Sequence, residues 1–108
     1  MTDNKDHVKY IRIVPNDERI TSHIISKYEL PNIIGKRALE IEKGGHVFTN
    51  VDNLVDPELI AMKELLDRKN PNVIYRPYSN GDVEKWKCNE MALDITTRNL
   101  LESSIKKK

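Results

Sequence analysis

Residues 26–44 read as a helix whose ends are marked by the residues themselves. Ser26 and Glu29 have the S-x-x-E spacing of a capping box, in which the serine oxygen takes the N3 amide and the glutamate reaches back to the cap amide. Gly44 and Gly45 end the helix, because glycine enters the left-handed region without a Cβ clash. Between these signals stand two residues that a helix disfavours. Pro31 lies one turn in and Gly35 lies mid-helix; an interior proline costs about 3 kcal/mol and an interior glycine about 1 kcal/mol relative to alanine. Two such defects ask for compensation. The expectation is that Gly35 and Ala38 form a smooth patch where another backbone comes close, and that the helix either kinks near residues 27–31 or becomes regular only after Pro31.

The apolar positions Leu30, Ile34, Ala38 and Ile41 fall on one helical stripe. Ile33 and Leu39 lie off it and widen the apolar surface. A second helix is bounded clearly. Asp56 is its N-cap, Pro57 its first residue and Glu58 its first-turn acid. It runs through Leu59, Ile60, Ala61, Met62, Leu65 and Leu66 and stops at Asn70 and Pro71. Glu64 and Arg68 have i,i+4 spacing. Residues 73–76 and 83–88 then flank Asn80-Gly81, the strongest short hairpin signal, and Pro77 places the first strand at an edge. Residues 89–93 begin a short helical turn.

Upstream, residues 10–14 alternate, with Ile11 and Ile13 on one side, and read as a short strand stopped by Pro15. Ile20, Ile24 and Ile25 lie in a connector and pack on the domain or on a partner. The fold class is therefore α+β: two main helices packed together, a C-terminal β-hairpin, a short N-terminal extended segment and disordered termini. Three regions follow: a flexible lead-in (1–9), one domain (10–94) and a flexible basic tail (95–108). In the tail, Leu100, Leu101 and Ile105 are spaced for a weak helix that forms on contact.

Composition limits what such a domain does. Of 108 residues, 38% are hydrophobic and 32% charged, and the core is correspondingly small. A domain with so little core gains stability from a partner. The net charge of +1 gives no field to gather nucleic acid or an anionic membrane. Cys88 stands alone, so there is no internal disulfide and no cysteine-based zinc cluster, which fits a reducing compartment. The N-terminus has no apolar region of the kind a signal peptide needs, and no apolar run approaches a membrane span.

No catalytic constellation emerges. His7, His23 and His46 match no metal-ligand spacing, and Cys88 has no histidine in a local nucleophile motif; a semi-buried strand cysteine and three surface histidines are the plainer reading. Gly44-Gly45 follows a helix and lacks the lysine of a phosphate loop. Asp56 and Glu58 are explained as cap and dipole residues. Tyr75, Arg76, Tyr78, Lys85, Trp86 and Lys87 mix aromatic and basic character across the hairpin, as a nucleic-acid platform does. Sheet packing with solvated lysines is the plainer explanation of them, and a free-standing nucleic-acid or protein-interaction module using the hairpin and the basic tail is the alternative reading.

A run of residues then becomes recognisable: Ile20-Thr21-Ser22, Lys27-Tyr28-Glu29, Gly35-Lys36-Arg37-Ala38 with Ile41, and Asp56-Pro57-Glu58-Leu59-Ile60-Ala61-Met62-Lys63-Glu64-Leu65. In this order they resemble the small common subunit of multisubunit RNA polymerases, the sixth subunit in eukaryotes, subunit K in archaea and omega in bacteria. The similarity spans about residues 10–94, and residues 13–22 are also similar to copies carried by large DNA viruses. The resemblance implies a non-catalytic subunit of a DNA-directed RNA polymerase, without cofactor or metal. It implies docking on the largest subunit and with the rest of the polymerase, promoting assembly. Nucleic acid is met only through the complex, with no membrane and no small-molecule substrate. The location implied is the nucleus, or a cytoplasmic viral factory or virion for a viral member, and not secretion. The interface residues it implies are Tyr28, Glu29, Gly35, Arg37 and Ala38. Those of the helix-packing motif are Asp56, Pro57, Ile60, Ala61, Glu64 and Leu65. The lead-in is shorter and less acidic than the arm of cellular eukaryotic relatives, and the lysine-ended tail is extra.

Overall fold

A computed structural model of the chain describes residues 12–106. The lead-in 1–9, the first two residues of the expected strand 10–14 and the last two lysines lie outside them. The described chain has three helices and one hairpin: α1 (Leu30–Glu42), α2 (Pro57–Leu66), β1 (Val73–Pro77), β2 (Val83–Lys87) and α3 (Ile95–Lys106), with single 3-10 turns at Asn16–Glu18 and Cys88–Glu90. It is α+β, as expected, with one helix more.

The capping box closes on Ser26: its N–H donates to Glu29 Oε1 at 3.0 Å, and the Glu29 N–H donates to Ser26 Oγ at 3.1 Å. Residues 27–29 make a turn, and regular helix begins at Leu30. Pro31 thus sits in the first turn, where its missing N–H costs least, and the helix starts later than Ser26 but one residue before Pro31, not after it. The far end closes as a Schellman motif: Gly44 N–H bonds Ile41 O, Gly45 N–H bonds Glu40 O, and Gly44 is left-handed with φ 97°. At Gly45 a Cβ would meet Glu40 O at 2.8 Å, so both glycines are required there.

The buried residues of α1 are Ile33, Ile34, Arg37 and Ala38. The inward stripe is therefore rotated toward Ile33, and it contains a charge. Asp56 caps α2, accepting the Glu58 N–H at 3.0 Å, and Pro57 opens the helix. The expected Glu64–Arg68 pair does not form. Glu64 turns inward, and Lys63–Asp67 is the i,i+4 pair, at 2.8 Å. Arg68 takes a left-handed backbone, φ 59°, to close α2, and its guanidinium donates to Met91 O. Ile33, Ile34 and Ala38 meet Ala61 and Leu65 in a core that also holds Ile25, Trp86, Cys88, Met91 and Leu101.

Leu101 comes from the segment expected as a polar tail. That segment forms α3 because Asp94 caps it, accepting the Thr97 N–H at 2.8 Å, and because Thr97 and Leu101, one turn apart, both face inward. Packing of α3 on α2 supplies the contact that the weak helical pattern needed.

In the hairpin, Val73 pairs with Lys87, Tyr75 with Lys85 and Pro77 with Val83. Gly81 is left-handed, φ 98°, so the connection is a longer turn closed by Tyr78 N–H to Asp82 O and not a two-residue loop. The chain at Arg12–Val14 lies parallel along β2: Val83 N–H donates to Arg12 O and Val83 O accepts from Val14 N–H. Val14 is buried there, whereas Ile13, its neighbour on the opposite side of the strand, is 45% exposed. Of the three connector isoleucines only Ile25 is buried; Ile20 is 80% exposed.

The connector is tied down by one carboxylate. Glu84 is fully buried and accepts from the Ile20 and Thr21 amides at 2.8 and 3.2 Å, from Trp86 Nε1 at 2.7 Å, and from the hydroxyls of Thr21 and Tyr78. Burial by itself raises a carboxylate's pKa, but the donors from Thr21, Tyr78, Trp86 and Ile20 outweigh it and lower Glu84 from 4.5 to about 2. A folded pKa below the unfolded one means stability that is present above about pH 4.5 and is lost as pH falls toward 2. Urea unfolding followed between pH 6 and pH 2.5 is expected to show this acid loss. Glu84→Gln is expected to be less stable at pH 6 and to lose much of the slope; an unchanged slope would contradict the assignment.

Candidate docking surface

Two helices and a loop converge on Arg37. Its position three residues after Ile34 and four after Ile33 puts it on the apolar side of α1. Glu64, fully buried, holds the equivalent place on α2 between Ala61 and Leu65. Arg37 Nε donates to Glu64 Oε1 at 2.6 Å and Nη2 to Glu64 Oε2 at 3.0 Å, a forked pair. Nη1 reaches Glu40 at 3.1 Å, and Nη2 also donates to His46 O. Glu64 Oε2 accepts the Phe48 N–H at 3.0 Å. The hydrogen bonds that Arg37 donates to Glu64 raise the Arg37 pKa against the opposing effect of burial. One ion pair thereby fixes α1 against α2 and fastens the chain after Gly45 to both.

This assigns Arg37 and Ala38 to the inside of the helix pair, where both are more than nine-tenths buried. The guanidinium is fully engaged within the chain. Glu29 is engaged too: its carboxylate forks to Arg76 at 2.8 Å through both oxygens, which lowers its pKa. Ile60, Ala61 and Leu65 are core, and Asp56 and Pro57 start α2. What remains lies on the outward side of α1 and in the turn before it. Tyr28, in that turn, is 80% exposed, and Leu39, four residues after Gly35 on α1, is 51% exposed. Gly35, Leu39 and Glu42, flanked by Ala38, form one wall of a groove of about 330 Å³ whose other wall is Pro57 and Glu58.

Gly35 is free of internal duty. A Cβ built there meets nothing within 4 Å, and its backbone is ordinary helix. The close approach expected at Gly35 is therefore not made by any described part of this chain. The sequence reading missed the Arg37–Glu64 pair, although its signal was present: opposite charges, each set inside an apolar stripe. It also missed Glu84, whose two flanking strand partners gave no hint of five donors.

Of the mixed aromatic and basic groups of the hairpin, Arg76, Tyr78 and Trp86 are turned to internal use, while Tyr75, Lys85 and Lys87 are exposed. Arg19 lies over the Trp86 ring with 3.9 Å from Cζ to the centroid, Arg76 holds Glu29 and two connector carbonyls, and Tyr78 bonds Glu84. Burial pushes the Cys88 thiol up to about 11, so little thiolate exists near neutrality. Among the described residues no helix is long and apolar enough to cross a membrane, and no three His, Cys, Asp or Glu side chains gather as a metal site.

Because the site at Gly35 is open, Gly35→Ala is expected to stabilise the isolated protein by about 1 kcal/mol through helix propensity. A thermal melt measures this; a loss of stability would mean that the glycine serves the chain's own packing.

Comparison with known proteins bears on the same region. The family model described as RNA polymerase Rpb6 matches residues 19–71. The chain is 39% identical over 84 residues to the RPABC2 subunit of DNA-directed RNA polymerases I, II, and III of Saccharomyces cerevisiae, covering 78% of this chain and 54% of that one. It is 35% identical over 80 residues to the corresponding subunit of Dictyostelium discoideum (74% and 60%) and of Schizosaccharomyces pombe (74% and 56%). The chain thus matches a little over half the length of these relatives. The connector from Arg19, both helices of the Arg37–Glu64 pair and the groove between them all lie inside the matched span, and over that span the chain is similar to the RNA polymerase Rpb6 family.

Proposed function

We propose that this chain is a non-catalytic subunit of a DNA-directed RNA polymerase, and that it promotes assembly by docking on the largest subunit through the outward side of α1. The observation that carries the reading is Gly35. A glycine in the middle of a helix costs about 1 kcal/mol, no described part of this chain packs against it, and it borders a groove inside the matched span. Close approach of a partner backbone gives the residue a purpose.

In this reading the side chains divide by task. Tyr28, Gly35 and Leu39 meet the partner. Arg37 and Ala38, from inside, set the angle between α1 and α2 that shapes the groove. Asp56 and Pro57 fix where α2 begins and so where the groove's second wall stands, and Ile60, Ala61, Glu64 and Leu65 hold the two helices together. Glu29 fixes the start of α1 through Arg76. Binding only the assembled form shifts the equilibrium toward assembly by mass action. Nucleic acid is met through the complex, and no cofactor, small-molecule substrate or membrane is involved. The relatives are eukaryotic shared polymerase subunits, which supports a nuclear location.

Co-expression with the largest subunit of the polymerase from the same source tests the reading. Wild-type chain is expected to co-purify with it. Gly35→Phe and Leu39→Glu, each checked by circular dichroism and thermal melt to be folded, are expected to reduce co-purification at least tenfold. Gly35→Phe should do so without loss of stability in isolation. Full recovery of the large subunit with both folded variants would overturn the proposed surface.

A further inference from the structure

The two edges of the hairpin are treated differently. In an antiparallel pair, residues alternate between those that exchange hydrogen bonds with the partner strand and those whose N–H and C=O point outward. The bonds from Tyr78 N–H to Asp82 O and from Cys88 N–H to Asn72 O set the phase. Residues 74 and 76 face β2, and Val73, Tyr75 and Pro77 face outward. On β2 the outward residues are Val83, Lys85 and Lys87, and each is occupied. Val83 bonds Arg12 and Val14, Lys85 O accepts from Arg19 Nη2 at 2.6 Å, and Lys87 N–H donates to Glu90 at 2.8 Å.

The outward edge of β1 is open. The backbone groups of Val73 and Tyr75 make no hydrogen bond among the described residues. Pro77, also outward, has no N–H to leave unpaired, which is why a proline is tolerated in this strand. A groove of about 230 Å³ runs beside this edge. It is lined by consecutive residues, Val73, Ile74 and Tyr75, whose side chains point to opposite faces, so it borders the strand's edge and not one face of the sheet. Its other wall is α1. Ile33, Ile74 and Cys88 make it apolar, and Lys36 stands on its rim with no carboxylate within salt-bridge distance among the described residues. The one carboxylate on that wall, Glu29, is taken by Arg76. The groove is smaller than a drug-sized ligand requires and has room for a side chain. Lys85 and Lys87, both exposed, lie one strand further on.

We propose that the outward edge of β1 takes up an extended segment of another protein as an added strand, with an apolar side chain in the groove and a carboxylate opposite Lys36. An extended backbone is the chemistry that unpaired N–H and C=O groups at strand spacing recognise. The uncompensated positive charge on the rim selects an acidic sequence. This surface is separate from the Gly35 groove and does not depend on it.

The test is a titration of the full chain, followed by backbone amide NMR, with a nine-residue synthetic peptide alternating Val and Ser around a central Asp. The matching peptide with a central Lys serves as control. Expected are shifts and slowed exchange at the Val73 and Tyr75 amides with the Asp peptide, and at least tenfold weaker binding of the Lys peptide. Lys36→Glu is expected to reverse that preference. Tyr75→Pro, which removes an outward N–H without touching the ladder, is expected to abolish binding. The proposal is overturned by the absence of shifts at these amides with millimolar peptide, by equal binding of the two peptides, or by a Lys36→Glu variant that still prefers Asp. Protection of the same amides before any peptide is added also overturns it; dependence on protein concentration would then point to a second copy, and independence to coverage by the chain itself.

Discussion

The buried pair of Arg37 and Glu64 is the constraint on which the helical half of this protein rests. Taking two charges out of water costs several kcal/mol for each ion, and only good geometry with further hydrogen bonds offsets it. Both conditions hold here: a forked contact, a third acceptor in Glu40, a carbonyl from His46 and an amide from Phe48. Leucine and methionine in the same two places would also fill the space, but they would not choose one relative rotation of α1 and α2 so narrowly. The pair also binds residues 46–48, which form no regular structure of their own. Removing either partner would leave the other charge buried and uncompensated.

The hairpin half is arranged around a second carboxylate in the same manner. Glu84 gathers amides and hydroxyls from the connector, the turn and the strand, and Arg76 clamps the start of α1 through Glu29. A chain with 38% hydrophobic residues has little apolar area to bury. Its segments between helices are fastened by ionised groups whose hydrogen bonds are nearly all satisfied. This gives a rigid frame from few apolar residues. It also leaves large apolar side chains such as Tyr28, Leu39, Phe48 and Val55 at the surface, as a subunit that completes itself against a partner would.

Local signals were legible in the sequence wherever a short stretch specifies its own geometry. The capping box at Ser26, the Gly44-Gly45 end, the Asp56-Pro57 start and the hairpin around Gly81 depend on neighbours within a few residues, and these are present in the structure. What escaped were decisions made across the fold. Arg37 reads as a surface arginine until α2 supplies Glu64, 27 residues away. Residues 95–106 read as a tail because Leu100, Leu101 and Ile105 are set among polar residues, and only the side of α2 makes Leu101 worth burying. Gly35 reads as a defect in both views. In the sequence its cost is visible, in the structure its freedom from internal contacts is visible, and the two together point outward.

The geometry that shapes the groove beside Gly35 thus traces back to one interaction, and a double-mutant cycle measures it most directly. Arg37→Met, Glu64→Leu and the double variant would be compared with wild type by urea unfolding. The account predicts single-variant losses of about 3–5 kcal/mol and a double variant that recovers a large part of them, a coupling of at least about 2 kcal/mol. Losses that simply add would contradict it, showing that the two side chains act independently and that the angle between α1 and α2 is set elsewhere.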